Sequence, residues 1–274
     1  MAMEQILIAK VGGGIISDES TFEEFLRDFA AIESRKVLVH GGGRIASEVA
    51  RSLEIPVALV EGRRITDEDM LRVVIMTYGG LVNKRAVATL QRFGCNAIGV
   101  SGADADLIRA KRRPAGEIDY GYVGDITTVN SEYLESMLRM NLVPVIASLT
   151  HDGKGQLLNT NADTIAAALS ESLASQYRVQ LFFCFEEEGV LLTENDEISV
   201  IEQLSAAGFR KLQEKGAIHS GMVPKLDNGF RALKAGVEGV TICHPSRLSA
   251  AFNTANGDAI GTRLIADESW NQSE

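Results

Sequence analysis

The chain has 274 residues, of which 45% are hydrophobic, so it can bury a sizeable core as one large domain or two joined lobes. Its formal net charge of −10 at pH 7 argues against nucleic acid or an anionic membrane as the main partner. No apolar stretch approaches the roughly 20 residues that a membrane span needs. The three cysteines and four histidines are scattered without zinc-ligand spacing, so we expect no protein metal site and a reducing, cytoplasmic location.

The first part of the chain alternates apolar runs with glycine-rich turns. Residues 6–11 predict a strand buried on both faces, and Gly12, Gly13 and Gly14 end it. Ser20 has the spacing of a helix cap, with Glu23 three residues later completing a capping box. Residues 36–40 predict a second strand, which a second glycine triplet at 41–43 ends.

The middle of the chain predicts further helices and short strands. Thr66 is expected to cap a helix that has three acidic residues in its first turn and ends near Asn83 and Lys84. The basic run RAKRR at 109–113 lacks interleaved aromatic residues and is expected to be a solvated loop. Strands are predicted at 96–100 and 143–147, with short strands or a hairpin at 120–130 beside the main sheet.

The last part returns to alternating helices and strands, at 164–173, 177–185, 209–215, 222–235 and 240–243. This alternation predicts an α/β protein with helices on both faces of a mostly parallel sheet, which is a three-layer αβα sandwich. Ligands of such sheets bind at the carboxyl ends of the strands.

Two glycine-rich turns that each follow a strand are typical of anion binding, because backbone N–H groups can approach a ligand where no side chain intervenes. Neither turn fits the P-loop or the dinucleotide motif. A tight turn would explain one triplet alone. Lys10, however, lies on a buried strand just before the first turn, and a buried lysine needs an anion or a carboxylate as its partner.

Other polar residues extend this candidate site. Arg64 could bind a carboxylate bidentately or be a solvated loop residue. The segment NTNAD at 159–163 could be helix caps or the polar floor of a site. Lys225 lies near a predicted helix start, where a cation is unfavourable unless an anion is nearby. Two lysines, glycine turns, an aspartate and an arginine suit phosphoryl transfer, in which the protein supplies positioning and positive charge.

Six motifs in this order make the sequence similar to the amino-acid kinase family, over 10–263: KVGGG (10–14), VHGGG (39–43), GRRIT (62–66), NK (83–84), LNTNAD (158–163) and GMVPK (221–225). The resemblance is to members that phosphorylate N-acetyl-L-glutamate. It implies the αβα amino-acid kinase fold, with a single domain at 1–274. Residues 1–175 would form an N-terminal lobe that binds the acylglutamate and forms a dimer, and 176–274 a C-terminal lobe that binds ATP. The implied reaction gives N-acetyl-L-glutamyl 5-phosphate, the second step of arginine biosynthesis, with Mg²⁺ accompanying ATP.

The resemblance also implies residue roles. Lys10 and Lys225 would stabilise the transferring phosphoryl group, and Asp163 would hold both lysines. The remaining roles are phosphate or nucleotide binding for Gly12, Gly13, Glu186 and Gly189, and binding of the acylglutamate for Gly42, Gly43, Arg64 and Asn159. No general base is needed, because the acceptor carboxylate is ionised at pH 7.

Two departures from the family pattern leave alternatives open. The segment CFEEEGV at 184–190 has Glu186 where relatives commonly have aspartate, which is the sole sequence support for a non-catalytic amino-acid or nucleotide sensor. Glu61 stands where relatives often have a polar or basic residue, so N-succinyl-L-glutamate is an alternative substrate. Because Lys10 lies near the start of the sequence, the resemblance implies a homodimer insensitive to arginine.

Overall fold

The computed structural model describes residues 3–60, 62–194, 197–218, 221–253 and 260–267. Its sixteen strands are β1 (Gln5–Val11), β2 (Arg35–His40), β3 (Leu59–Val60), β4 (Arg63–Arg64), β5 (Ala97–Val100), β6 (Ile108–Arg112), β7 (Gly124–Val129), β8 (Val143–Ala147), β9 (Leu149–His151), β10 (Leu157–Asn159), β11 (Arg178–Cys184), β12 (Leu191–Glu194), β13 (Glu197–Val200), β14 (Gln203–Ser205), β15 (Gly239–Cys243) and β16 (Thr262–Ile265). Within these ranges no helix has the length and apolar character needed to cross a bilayer.

The central sheet has eight strands in the order β14-β16-β15-β11-β1-β2-β8-β5. The six neighbours from β15 to β5 are parallel, and β16 pairs antiparallel with β15. Because parallel strands need crossover connections, the intervening helices must lie on the faces of the sheet. The predicted mainly parallel sheet is confirmed.

The helices are α1 (Gly13–Ser17), α2 (Glu19–Ala31), α3 (Gly43–Ser52), α4 (Glu68–Val74), α5 (Asn83–Arg92), α6 (Ser131–Arg139), α7 (Ala162–Leu173), α8 (Ala206–Glu214), α9 (Val223–Lys234) and α10 (Leu248–Asn253). A π-helical segment, Ile75–Val82, joins α4 to α5, so the helical run is continuous from 68 to 92. The expectation that a helix ends at Asn83 and Lys84 was therefore wrong, since α5 begins there.

The two faces of β1 separate the core into the two outer layers. Ile6 and Ile8 belong to one cluster with buried side chains of α6, α7, α8 and α9. Leu7, Ala9 and Val11 belong to another cluster with α1, α2, α5 and α10. Alternate residues of a strand point to opposite faces, so helices cover both sides and the predicted three-layer αβα sandwich is confirmed.

A smaller sheet lies beside the central one, with strand order β10-β9-β6-β7. It contains residues 109–112 of the basic run 109–113, which was expected to be a loop. Residues Ile108–Arg112 instead form β6, antiparallel to β7. Ile108 and Ala110 are buried, whereas the basic residues Arg109, Lys111 and Arg112 are exposed. This is the alternation of a strand with one face in solvent. It was not recognised in the sequence because the run contains so many basic residues.

Two helix starts differ from the sequence expectation by one or two residues. Asp18 caps α2 by accepting a hydrogen bond from Thr21 N, and Asp67 caps α4 by accepting from Met70 N. Ser20 and Thr66 were the predicted caps. Aspartate is as good a cap as serine or threonine, so residue type could not choose between neighbours.

The cap of α2 gives a pH-dependent prediction. The hydrogen bond from Thr21 lowers the pKa of Asp18 from 3.8 to about 2. A depressed pKa in the folded state stabilises the protein above about pH 4, and this stabilisation is lost as the pH falls towards 2. We expect Asp18→Ala to lower the Tm at pH 7 by about 2–4 °C and Ser20→Ala by less. Thermal unfolding monitored by circular dichroism tests this, and a difference between the two variants that did not shrink below pH 4 would contradict it.

Candidate active site

A cleft of about 1910 Å³ opens at the carboxyl ends of the central strands. The turns after β1, β2 and β11 contribute to it, as do the first turns of α3, α7 and α9. Every site residue predicted from the sequence lines this cleft: Lys10, Gly12, Gly13, Gly42, Gly43, Arg64, Asn159, Asp163, Glu186, Gly189 and Lys225. The structure therefore brings together residues that are up to 215 positions apart in the sequence (225 − 10).

An aspartate between two lysines forms the floor of the cleft. Lys10 Nζ lies 2.8 Å from Asp163 Oδ1, and Lys225 Nζ lies 3.2 Å from Asp163 Oδ2. The side chain of Asp163 is only 6% exposed, and those of the lysines are 8% and 13% exposed. The two ammonium groups converge on one carboxylate, which leaves one unit of positive charge in excess.

The fold explains this convergence. Lys10 lies two and four residues after Ile8 and Ile6 on β1, so its side chain points to the same face of the sheet as theirs. That face is covered by the layer that contains α7 and α9. Asp163 lies in the first turn of α7 and Lys225 in the first turn of α9. A carboxylate is favourable at a helix start and a cation is not, so Asp163 offsets the unfavourable position of Lys225.

Burial and charge act in opposite directions on the ionisation of these groups. Burial alone would raise the pKa of Asp163, but the two ammonium groups outweigh it and the pKa lies below its ordinary value. Burial lowers the pKa of Lys10, and the charge of Asp163 opposes that shift. The aspartate is therefore held as an anion, and its charge favours the cationic form of Lys10.

The first glycine turn begins with a glycine that packs closely against β11. Gly12 N donates to Cys184 O at 2.9 Å, and a Cβ on Gly12 would lie 3.3 Å from that oxygen. Gly13 and Gly14 open α1, where the first amides of a helix have no carbonyl partner in their own helix. Gly12 therefore brings the chain close to β11, and Gly13 follows with an amide available for a ligand.

The second turn is built around a glycine that no other residue could replace without strain. Gly42 has φ +154°, and a Cβ there would lie 3.0 Å from the ring of Tyr78. Gly43 begins α3, and Gly13 lies beside it, since a Cβ on Gly13 would be 3.9 Å from Gly43 N. The two glycine turns are thus neighbours on the same side of the cleft.

Arg64 is a buried residue rather than a solvated loop arginine. Its side chain donates to Gly43 O at 2.8 Å and to Ser47 Oγ at 2.7 Å. Both partners are in the first turns of α3, so the guanidinium is held beside the second glycine turn before any ligand binds.

The residues of the NTNAD segment (159–163) have different roles: Asn161 caps a helix, and Asn159 and Asp163 line the cleft. Asn161 caps α7 by accepting from Asp163 N and Thr164 N, while Asn159 Nδ2 donates to Thr66 Oγ1 at 2.9 Å. Glu186 and Gly189 lie on the other side of the cleft, after β11. A Cβ on Gly189 would lie 2.7 Å from Thr262 Oγ1, so close packing requires that glycine.

Several residues that line the cleft were not predicted from the sequence. Tyr78 and Ser47 were not singled out because their positions look like ordinary helix residues, and Arg44 because no pattern distinguishes it from other surface arginines. Ser148 also lines the cleft, and its buried Oγ makes no hydrogen bond within the described part of the chain. Its place directly after the predicted strand at 143–147 was the available signal, since the neighbouring strands end in the glycine turns.

His40 lies behind the cleft and is unsuited to proton transfer at neutral pH. Burial lowers its pKa to about 4. Its ring nitrogens contact Gly41 O at 2.8 Å and Asn83 Nδ2 at 3.1 Å, so both are occupied within the protein. This agrees with the sequence interpretation, which gave His40 no catalytic role.

The described residues do not fit a magnesium site made by the protein. No group of three or more His, Cys, Asp or Glu side chains in the described ranges could hold a metal ion. Asp163, the carboxylate between the two lysines on the cleft floor, is already paired with both of them. Glu61, the departure expected to affect the acyl pocket, lies outside the described residues.

The αβα sandwich and its cleft of lysines and glycine turns define an α/β phosphotransferase. The family model of the amino acid kinase family matches residues 5–244. The chain belongs to the amino acid kinase family.

Acetylglutamate kinases from other organisms are similar to this chain over nearly its whole length. It is 51% identical over 252 residues to the acetylglutamate kinase of Parabacteroides distasonis, covering 92% of this chain and 99% of that protein. It is 45% identical over 266 residues to the acetylglutamate kinase of Cytophaga hutchinsonii, covering 97% and 100%.

Solved structures share the fold. The smu.665 protein from Streptococcus mutans has a TM-score of 0.79 at 26% identity and covers 96% of this chain and 99% of its own. Carbamate kinase from Giardia lamblia bound to AMP-PNP has a TM-score of 0.70 at 13% identity, with coverage of 97% and 99%, which shows the fold alone.

The paired lysines predict how the protein responds to loss of Asp163. We expect Asp163→Asn to lower the free energy of unfolding by roughly 3–5 kcal/mol, because it leaves two buried ammonium groups without a counter-charge. Asn161→Ala, which removes only the cap of the same helix, should cost about 1 kcal/mol. Urea unfolding measures both.

Replacing Lys10 by Met in the Asp163→Asn background should recover part of the loss, because one unpaired charge is removed. An Asp163→Asn cost no larger than that of Asn161→Ala would show that the ion pairs are not the main contribution.

Proposed function

We propose that the protein transfers the γ-phosphoryl group of ATP to the side-chain carboxylate of N-acetyl-L-glutamate, giving N-acetyl-L-glutamyl 5-phosphate in arginine biosynthesis. The observation that carries this proposal is the convergence of Lys10 and Lys225 on Asp163 at the floor of the cleft. Membership of the amino acid kinase family and about 50% identity to acetylglutamate kinases support the reaction and the substrate. None of the relatives named above is named for a succinylated substrate or a sensor function.

The chemistry required is electrostatic. The acceptor carboxylate is already ionised at pH 7, so no residue has to remove a proton from it. The barrier comes from bringing this anion to a polyphosphate, and fixed positive charges at the transferring group lower it. We assign that role to the ammonium groups of Lys10 and Lys225. Asp163 is assigned the role of positioning both.

The acylglutamate is proposed to bind at the second glycine turn. The backbones of Gly42 and Gly43 approach it, Arg64 binds its α-carboxylate and Asn159 donates a hydrogen bond. Support comes from Arg64, which is held in place by Gly43 and Ser47, because a guanidinium fixed in advance loses less freedom on binding. In this allocation residues 1–175 form the lobe for the acylglutamate.

ATP is proposed to bind across the first glycine turn, with Gly12 and Gly13 along its phosphates, and Glu186 and Gly189 on the nucleotide side. Residues 176–274 then form the nucleotide lobe of a single domain over 1–274. Magnesium is proposed to arrive as part of the ATP complex, since the described side chains do not form a metal site. We derive no step through the metal.

We also propose a cytoplasmic homodimer. Met76 and Leu81 on the π-helical segment are 53% and 54% exposed, and exposed apolar side chains on one helical run suit an interface between copies. Sedimentation equilibrium measures the oligomeric state directly.

The lysine assignment predicts a loss of turnover rather than of binding. We expect Lys10→Ala and Lys225→Ala each to lower kcat by about a hundredfold or more, because charge stabilisation of the transition state is removed. Lys111→Ala, which removes an exposed lysine of β6 outside the cleft, should leave kcat unchanged. Steady-state release of ADP measures these values, and turnover like that of the wild type in both Lys10 and Lys225 variants would refute the assignment.

The substrate assignment is tested with a panel of acceptors. ADP release should be fast with N-acetyl-L-glutamate and much slower with N-succinyl-L-glutamate, aspartate and carbamate, because each alters the group that the site must position. Detection of the acyl phosphate as its hydroxamate distinguishes transfer from ATP hydrolysis. Faster turnover of the succinyl compound would overturn the acyl assignment, and no turnover with any acceptor would overturn the reaction itself.

A further inference from the structure

Arg44 and Glu186 form an ion pair across the cleft, and the proposed function gives Arg44 no role. Arg44 is the second residue of α3, and Glu186 follows β11 by two residues. Arg44 Nη2 lies 2.7 Å from Glu186 Oε1. The pair therefore links the side of the cleft assigned to the acylglutamate with the side assigned to the nucleotide.

The pair lies against the first glycine turn. A Cβ on Gly14 would collide with Glu186 Oε1 and would lie 2.8 Å from Arg44 Nη1. Gly13 is close to the backbone of Arg44 as well, since a Cβ on Gly13 would be 3.9 Å from Arg44 N. Both charged groups are thus at the turn along which the phosphates of ATP are proposed to lie.

The Glu186 carboxylate is a weakly held partner for Arg44. The two side chains are 45% and 62% exposed, and such exposed ion pairs contribute little to stability. A terminal phosphate carries more negative charge than a carboxylate and accepts the planar guanidinium bidentately. A phosphate at this turn is therefore the stronger partner for Arg44.

We propose that Arg44 is a phosphate-binding residue for the nucleotide and that Glu186 is its counter-ion in the free protein, displaced when ATP binds. Glu186 thus lies on the nucleotide side of the cleft as a competitor of the phosphates, in place of the nucleotide-binding role that the family resemblance implies. Glu186 then competes with the nucleotide for Arg44 and weakens nucleotide binding. This inference rests on the proposed function, because it places the phosphates at Gly12 and Gly13.

The test is a double-mutant cycle on nucleotide affinity, measured by isothermal titration calorimetry with ADP and AMP-PNP on the full chain. We expect Arg44→Gln to weaken binding about ten- to a hundredfold, as the loss of a charge-assisted hydrogen bond should. Glu186→Gln should tighten binding about two- to fivefold, because the competing carboxylate becomes neutral. The double variant should bind like Arg44→Gln, since Glu186 acts through Arg44.

Controls separate this effect from general changes in charge. Glu68→Gln neutralises a carboxylate in another exposed ion pair, with Arg72 at 2.6 Å, outside the cleft, and should leave affinity unchanged. Adenosine, which lacks phosphates, should bind all variants alike. The gain from Glu186→Gln should also decrease at high salt, where exposed charges are screened.

Several results would overturn the inference. Weaker binding in Glu186→Gln would make Glu186 a direct ligand of the nucleotide. Tightening that persisted in the Arg44→Gln background would show that Glu186 does not act through Arg44. An Arg44→Gln defect confined to the KM of the acylglutamate would assign Arg44 to the other substrate. Each of these leaves N-acetyl-L-glutamate turnover in the wild type intact, whereas failure of the proposed function abolishes that turnover.

Discussion

The site depends on one carboxylate that holds two ammonium groups together. Lys10 comes from a central strand and Lys225 from a helix start near the other end of the chain, and without Asp163 they would repel each other. Each element is positioned by an apolar layer that also contains Ile6 and Ile8. The hydrophobic packing that forms the sandwich is thus the same packing that brings the charges together.

The position of the two glycine turns also follows from the packing of the central sheet. Adjacent parallel strands end at one edge of the sheet, so the turns after β1 and β2 must be neighbours. The backbone at Gly12 packs closely against β11, and the backbone at Gly42 packs closely against the ring of Tyr78. Side chains at these positions would push the backbone away from the neighbouring element and from the cleft.

Local charge and total charge lead to different conclusions for this protein. A net charge of −10 repels polyanions from the surface as a whole, yet the cleft floor carries two ammonium groups for one carboxylate. A small anion inside a cleft is affected mainly by the nearest, least screened charges. This is why a negative net charge argues against nucleic acid as the main partner while permitting a phosphate-bearing substrate.

The sequence by itself determined the αβα class and the strands that carry the site, because alternation of elements and glycine after strands are local signals. Its motifs, through the resemblance to the amino-acid kinase family, also named most of the predicted residues that line the cleft, but not Tyr78 or Arg44. It could not locate caps to the residue, as Asp18 and Asp67 show, since neighbouring polar residues cap equally well. It also missed β6, whose exposed arginines concealed a paired strand. Only the tertiary structure decided the contacts among distant residues: the lysines on Asp163, Arg64 on α3 and Arg44 on Glu186. Such pairs have no sequence period, because they form between elements whose separation is set by the packing of the whole chain.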